Sequence, residues 1–469
     1  MTRSKHPNYS IGKVNVFEGG LITSDGKDRR TPTDPLTIAF AASVAGDSIE
    51  LGPGSYTITS ALTFKSGVSL IGAGFGATTI VLNGFSMIVG SGVSGVTIEG
   101  VTVDASSTAV GIQTLSDSHE IKIKDCIIKD ATSRCIEMTE TAKISITNCD
   151  ISGSTLDGIY GIRCGVHSTD SSKSMPPLVS NCFIHDNDEH GINFVGVHDA
   201  LISGNSIEDN GIAGIRIQDP IQTLISGNQL ERNNQAGGKI AEIVVVLEDA
   251  SAYSSPYAYS RGQACITGNQ FGGCERSIRI IGDHATAYDV IIDGNYFFSP
   301  DNTNISIFDY RVNYKVTIAN NHFSNFTLTS QNAIFLDGQA AGIDGRLIVV
   351  RGNRIDNYYA GIVVQDCTNV KLIGNAVVDC TRGVRISGGT TQSVQGSGNV
   401  FDTNSEDDIS VGTGTVTYDM YNSIVDGELV LVTSDAAVTP TLNSGVGVDG
   451  SANVLIRSNG TNENISNIT

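Results

Sequence analysis

The sequence predicts an all-β solenoid, and three observations carry that expectation. An apolar or β-branched strand followed by Gly, Asn and an apolar residue recurs as LISGNSI, LISGNQL, CITGNQF, IIDGNYF and VVRGNRI, at intervals of about 24 residues. A second strand pattern follows roughly ten residues after each of these, as in GINFVG, GIRIQD, SIRIIGD and GIVVQD. No long amphipathic helical period interrupts the series. With 53 Gly, 10 Pro, no Trp and 40% hydrophobic residues in 469, the chain is too apolar to be disordered and large enough to bury a long core.

In chain order, residues 1–33 read as a polar, irregular N-terminal arm punctuated by Arg29, Arg30 and Pro32. Pro35 to Val44, PLTIAFAASV, has helix-forming composition and is expected to close the open edge of the first coil. From 34 to 415 the repeat sets the architecture. Its Asx markers are Asp104, Asp125, Asn148, Asn181, Asn205, Asn228, Asn269, Asn295, Asn321, Asn353, Asn375 and Asn399. Asn suits a tight corner because its amide can bond its own turn and the adjacent coil, and because it tolerates left-handed backbone. Glycine just before it serves the same steric end.

Two residues beyond the marker an apolar side chain is expected to face inward: Ile127, Phe183, Ile207, Leu230, Phe271, Phe297, Phe323, Ile355, Val377 and Phe401. Asp150 breaks this row, through either a shift of register or a local fault. In the second strand, alternation places Ile192, Ile215, Ile243, Ile278, Ile305, Ile334, Ile362 and Val384 inside. It places Asn193, Arg216, Val244, Arg279, Ser306, Phe335, Val363 and Arg385 outside. After Thr415 the marker ends, and 416–469 form a non-repeating β-rich segment, either a C-terminal cap or a trimerising element.

Acidic residues outnumber basic ones by 49 to 29, and the net charge of −20 excludes a general nucleic-acid or anionic-membrane binder. No apolar run reaches the ~18 residues of a membrane helix, so no membrane insertion is expected. The first twenty residues lack the apolar run of an export signal, which predicts synthesis in a cytoplasm. Nine cysteines without zinc or redox spacing predict reduced, mostly buried thiols, with Cys126, Cys149 and Cys182 stacked in a column. No cofactor or metal is expected. GAGFGA at 72–77 lacks the following helix of a dinucleotide site, and HDNDEHG starts like a calcium loop but has Val197 where the bidentate Glu belongs.

These features resemble the right-handed parallel β-helix of the pectate-lyase-like superfamily, which includes pectinases, alginate lyases and epimerases, and many phage tailspikes. The stretch AGDSIELGPGSYTITSALTFKSGVSLIGAGFGATTIV is similar to that family's first coils. The resemblance spans about 34–415 and implies a single-stranded right-handed β-helix with an N-terminal cap and surface polysaccharide as partner. Three function classes stay open. One is a homotrimeric virion appendage of tailspike type that binds, and in one version depolymerises, host-surface polysaccharide, attached through an end of the rod to other virion or tail proteins. Another is a stand-alone, extracellular polysaccharide lyase, hydrolase or epimerase. The third is a non-catalytic structural or adhesive rod.

Candidate site residues fall on overlong coils, at 153–177, 235–263 and 326–346, and on the outward rows. Tyr253, Tyr257, Tyr259 and Arg261 in EDASAYSSPYAYSRGQ suit stacking on sugar rings, and Arg279 adds a cation. An acidic stripe after the second strand, Asp219, Glu248, Asp249, Asp283, Asp309, Asp337 and Asp366, reads either as an exposed solubilising column or as the source of a carboxylate pair for glycoside hydrolysis. The catalytic candidates are Asp219, Asp249, Asp209 and Arg216. The densest polar cluster is His185, Asp186, Asp188, Glu189 and His190, expected near Glu208, Asp209, Arg216 and Asp219 in the stacking direction. The Gly-His-Gly and Arg-x-Lys motifs of polygalacturonases are absent, and NDEHG is similar to the Asp/His cluster of alginate epimerases only in composition.

Overall fold

The computed structural model describes residues 35–233 without a break, and strands at 13–17, 20–22 and 28–29 before them. Beyond them it describes 241–247, 261–273, 276–282, 287–298, 304–309, 314–325, 331–338, 347–387, 392–411, 416–425, 428–433, 455–458 and 461–464. Each coil supplies one short strand to each of three parallel sheets. The coil built from Leu201–Ser203, Ser206–Glu208 and Ala213–Gln218 represents the first, second and third sheet in that order. Strands of the coils pair in parallel with their equivalents one coil away, as Leu201 with Leu178 and Leu224, or Ile215 with Ile192 and Ile243. The third sheet runs through fourteen strands, a rod of roughly 60 Å at about 4.8 Å per coil.

The core is the interior of the coil. Isoleucines 112, 136, 159, 192, 215, 243, 278, 305, 334 and 362 form one fully buried row in register, as the alternation predicts. On the second sheet Phe271, Phe297 and Phe323 stack with centroids 4.8 and 4.5 Å apart and planes within 5°. The helix forms at Pro35–Ala42 and buries Leu36, Ala39 and Phe40 against the first coil, Phe40 meeting Phe64 edge-on at 4.8 Å.

The marker Asn residues from 205 onward form a buried ladder. Each up to Asn375 donates its amide to the next coil's Oδ1 at 2.9–3.0 Å and a second amide hydrogen to a core carbonyl, as Asn228 does to Asn269 and to Ile202. The left-handed residue at these corners is the preceding one, Gly204 (φ 66) or Gly227 (φ 64), and not the Asn itself. This corrects the assignment of the earlier markers. Asp125, Asn148 and Asn181 have φ of 53–55 and occupy the glycine position, while Cys126, Cys149 and Cys182 stand where the ladder Asn stands in later coils. The thiols are buried as expected.

The one-residue offset settles Asp150. Ile127, Asp150 and Phe183 pair in one outward row, and Ile128, Ile151 and Ile184 are the buried ones, continuing into Ile207 and Leu230. The register is intact; the expectation that Ile127 and Phe183 point inward is overturned. Asp104 falls outside the series, since its partner is Lys129.

Both ends differ from the sequence expectation. The arm is not irregular throughout, because Lys13–Phe17 pairs in parallel with Ser48–Leu51. Parallel pairing also runs past 415: Val416–Val425 joins Gln392–Ser397 and Val400–Phe401 before turning back antiparallel on Glu428–Thr433. The first excursion is shorter than the expected 153–177, since Ile159–Ile162 is a third-sheet strand. Its remainder folds over the first sheet and leaves a groove of about 500 Å³ lined by Met175, Pro176, Leu178 and Leu201. The other two excursions fall largely outside the described residues.

Candidate functional site

The corner of the coil divides the segment HDNDEHG between two faces. His185 ends the second-sheet strand Phe183–His185, and His190 begins the third-sheet strand His190–Val195. Between them Asn187 turns inward, 1% exposed, and starts a second Asn ladder, bonding Asn210 at 2.9 Å, which bonds Asn233 at 2.6 Å. The two histidines therefore cannot share a site, although five positions separate them in sequence.

On the third sheet the coil stacking assembles a compact polar cluster. Arg134, Asp157 and His190 each stand two residues before a buried isoleucine of one row, so they neighbour one another in successive coils. Asp157 is wholly buried and accepts from three partners: His190 Nδ1 at 2.8 Å, Arg134 Nε at 3.2 Å and Asn193 Nδ2 at 3.2 Å. A buried carboxylate held this way fixes the imidazole with its Nδ1–H toward Asp157 and leaves Nε2 as an acceptor. Glu189 adds a second carboxylate: its oxygen, that of Asp157 and a His190 nitrogen lie within 4.8 Å of one another. Arg134 also bonds Glu137 at 3.0 Å and lies over the Tyr160 ring at 4.0 Å.

The adjacent outward row carries Glu137, Tyr160, Asn193 and Arg216 in register. Arg216 donates to Asn193 Oδ1 at 3.0 Å and to Gln218 Oε1 at 2.6 Å. Both partners are neutral amides, so its positive charge is oriented but not cancelled by them. The three donors that could ligate a cation, Asp157, Glu189 and His190, share Asp157 with Arg134, and a guanidinium on the same carboxylate competes with any ion there.

His185 sits in different chemistry. Its ring stacks on Phe183 at 4.0 Å, Nε2 lies 3.2 Å from Asp150 and Nδ1 2.7 Å from Asp186. Burial favours the neutral ring, but the hydrogen bonds and charges of Asp150 and Asp186 outweigh it and raise the imidazole above its ordinary range.

Of the residues singled out from sequence, Glu189, His190, Asn193 and Arg216 meet in the cluster, and of the four catalytic candidates only Arg216 does. Asp209 is the left-handed corner residue (φ 54) after the second-sheet strand Ser206–Glu208 and is ion-paired with Arg232, Nε at 3.1 Å and Nη2 at 2.9 Å. Asp219 is not part of an exposed column: it is 1% exposed and accepts from the Tyr288 hydroxyl at 3.0 Å. Gly262 makes this possible, since a Cβ there would lie 2.1 Å from the Tyr288 ring. Asp337 is buried too, at 4% exposure. The expected proximity of the HDNDEHG cluster to Asp219 thus gives way to opposite ends of the strand Ala213–Gln218. Asp249, Tyr253, Tyr257 and Tyr259 lie outside the described residues, and Arg261 is described only as the first residue of the strand Arg261–Thr267. Arg279 faces outward two coils beyond Arg216 on the same row.

Sequence reasoning missed Arg134, Asp157 and Tyr160, and placed Asn193 outward without giving it a role. Their signal was available: each falls at an outward or strand-leading position of the third sheet, in coils whose Asx markers carried the one-residue offset.

The description "right handed beta helix region" matches residues 41–175, 111–242 and 257–426. The chain belongs to that family. No curated protein matches this β-helix in sequence. Among solved structures it is similar to the catalytic domain of a GH87 α-1,3-glucanase in complex with tetrasaccharides, at 12% identity, TM-score 0.51, 76% of this chain and 66% of that one. It is also similar to the A-module of an Azotobacter vinelandii mannuronan C-5 epimerase, at 16% identity, TM-score 0.44, covering 81% and 93%. A tailspike protein of an Escherichia coli bacteriophage matches at 12% identity, TM-score 0.42, covering 74% and 45%. The likeness to the glucanase domain shows the fold alone.

Proposed function

We propose that this β-helix binds polysaccharide along the outer face of its third sheet and processes it by proton abstraction from a uronate residue, as a lyase or epimerase does. The 2.8 Å bond between His190 and a buried Asp157 carries the reading, because it presents Nε2 as a base on a face that also bears Arg216. Removing a proton beside a carboxylate needs a cation to hold the developing charge, and Arg216 supplies one whose partners are neutral. In elimination the electrons of the broken C–H bond expel the glycosidic oxygen, and Glu189, whose carboxyl oxygen lies within 4.8 Å of a His190 nitrogen, is the group proposed to protonate it. Hydrolysis is favoured less, since both oxygens of Asp157 are engaged and the paired carboxylates that hydrolysis uses are then incomplete. The net charge of −20 opposes a polyanion only at long range, where salt screens it beyond about 8–10 Å.

Incubation with uronate polysaccharides in deuterated buffer tests this. Rising absorbance near ~235 nm marks elimination, and solvent deuterium at the uronate α-carbon without chain cleavage marks epimerisation. Reducing ends released without either signal would replace the reading with hydrolysis.

The finer reading is a homotrimeric virion appendage engaging host-surface polysaccharide. The antiparallel pairs Val416–Val425 with Glu428–Thr433, and Leu455–Ser458 with Thr461–Asn464, support it as β-structure that leaves the coil. Light scattering should return about three times the 49.2 kDa chain mass, and a monomer sinks the trimer.

A further inference from the structure

The geometry points to a second carbohydrate site, an aromatic platform on the outer face of the second sheet that holds a neutral hexopyranose segment. Register places Gln270, Tyr296, His322 and Arg354 in one outward row of successive coils, with Gly272, Phe298, Ser324 and Asp356 in the next. Tyr296 is 38% exposed, a large aromatic that the fold does not need as core. Its ring lies beside Phe298 with centroids 6.3 Å apart and planes within 18°, which makes a nearly continuous aromatic floor. His322 stands against Tyr296 at 5.1 Å and 78°, as a wall. Gly272 contributes no side chain of its own on the other side of Phe298, and the Glu231 side chain lies over that position.

Past the wall, Arg354 Nε bonds Asp356 Oδ1 at 3.0 Å while two thirds of the Arg354 side chain stays exposed. His322 Nε2 lies 3.7 Å from the other Asp356 oxygen without reaching hydrogen-bond distance. An apolar ring face flanked by planar donors and acceptors is what a pyranose requires: its C–H face packs on the aromatic and its equatorial hydroxyls take the guanidinium, carboxylate and amide. The coil spacing of about 4.8 Å sets these groups one sugar ring apart along the rod. Arg354 is paired with Asp356, and Arg232 with Glu231 beside Gly272 one coil back, so the floor offers no uncompensated cation to a uronate and suits neutral hexoses. The site is independent of His190, which lies on another sheet, and it would anchor a chain without reacting with it.

Affinity electrophoresis in native gels containing dextran, barley β-glucan, yeast mannan or galactan tests it on the full chain. Retardation in at least one gel is expected, weakened about tenfold in apparent affinity by Tyr296→Ala and further by Arg354→Ala, and unchanged by His190→Ala. Tyr296 is outward, and Tyr296→Phe, which keeps the ring, should retain most of the binding and so controls for folding. No retardation in any gel overturns the proposal, and so does retardation that Tyr296→Ala leaves intact. A Tyr296→Ala chain with unchanged retardation but altered mass by light scattering assigns the platform to contact with a second copy and overturns it equally. Loss of uronate processing in His190→Ala with neutral-glycan binding intact would separate the two sites.

Discussion

His185 and His190 share one short segment with three acidic residues between them, yet the solenoid places them in opposite regimes. His190 is 8% exposed, and its partner Asp157 is closed off by Arg134 and Asn193. His185 bridges two carboxylates at the rim of the second sheet, one of them, Asp186, 69% exposed. The comparison teaches that a histidine gains a fixed tautomer from a buried single carboxylate, and gains charge from two flanking ones. The first arrangement suits a base, the second a salt link that depends on pH.

The largest expected effect breaks this contrast through activity. His190→Ala should lower uronate processing by about 10²–10⁴-fold, whereas His185→Ala should leave the rate within a few-fold, measured by initial rates on the same polysaccharide. Equal losses would mean that the two faces act together. Next comes stability: Asp157→Ala leaves Arg134 without its buried partner and should cost about 3–5 kcal/mol in denaturant unfolding, against less than about 1 kcal/mol for Asp186→Ala at the exposed rim.

A smaller effect is titration. The raised pKa of His185 makes its salt link stabilising below about 6.5, and that contribution is lost as pH rises through the higher folded value. His198 runs the other way: burial pushes it down to about 4, so its contribution is present above about 6.5 and is lost as pH falls toward 4. Unfolding midpoints followed from pH 4 to 8.5 should therefore lose their alkaline slope in His185→Gln and their acid slope in His198→Gln. The smallest difference separates the two kinds of corner. Asn269→Ala interrupts the buried ladder between Asn228 and Asn295 and should cost about 1–3 kcal/mol. Asn148→Gly, at an exposed left-handed position with φ 55, should shift stability by no more than ~0.5 kcal/mol.

Much of the fold was legible because a solenoid repeats its constraints. Ile215 and Ile362 read as core from alternation alone, and the ladder from Asn205 to Asn399 from its spacing. The offset in the earlier coils was not legible, since Asn at 148 and Asn at 205 satisfy the same pattern, one by left-handed backbone and the other by a buried amide. The candidate site was harder to read. Arg216 was visible as an outward cation, but Asp157 reads as an ordinary loop aspartate until the coil above delivers His190, 33 positions later, to within 2.8 Å.

The sequence by itself determined the solenoid, its period and its inward rows, because each coil must bury the same face against equivalent neighbours. Only the tertiary structure decided which polar residues meet. The outward rows carry no hydrophobic signal to fix their register, and their contacts run across coils 23 to 36 residues apart, so the corner at Asn187 separates the histidine held by one buried carboxylate from the one held by two at the rim.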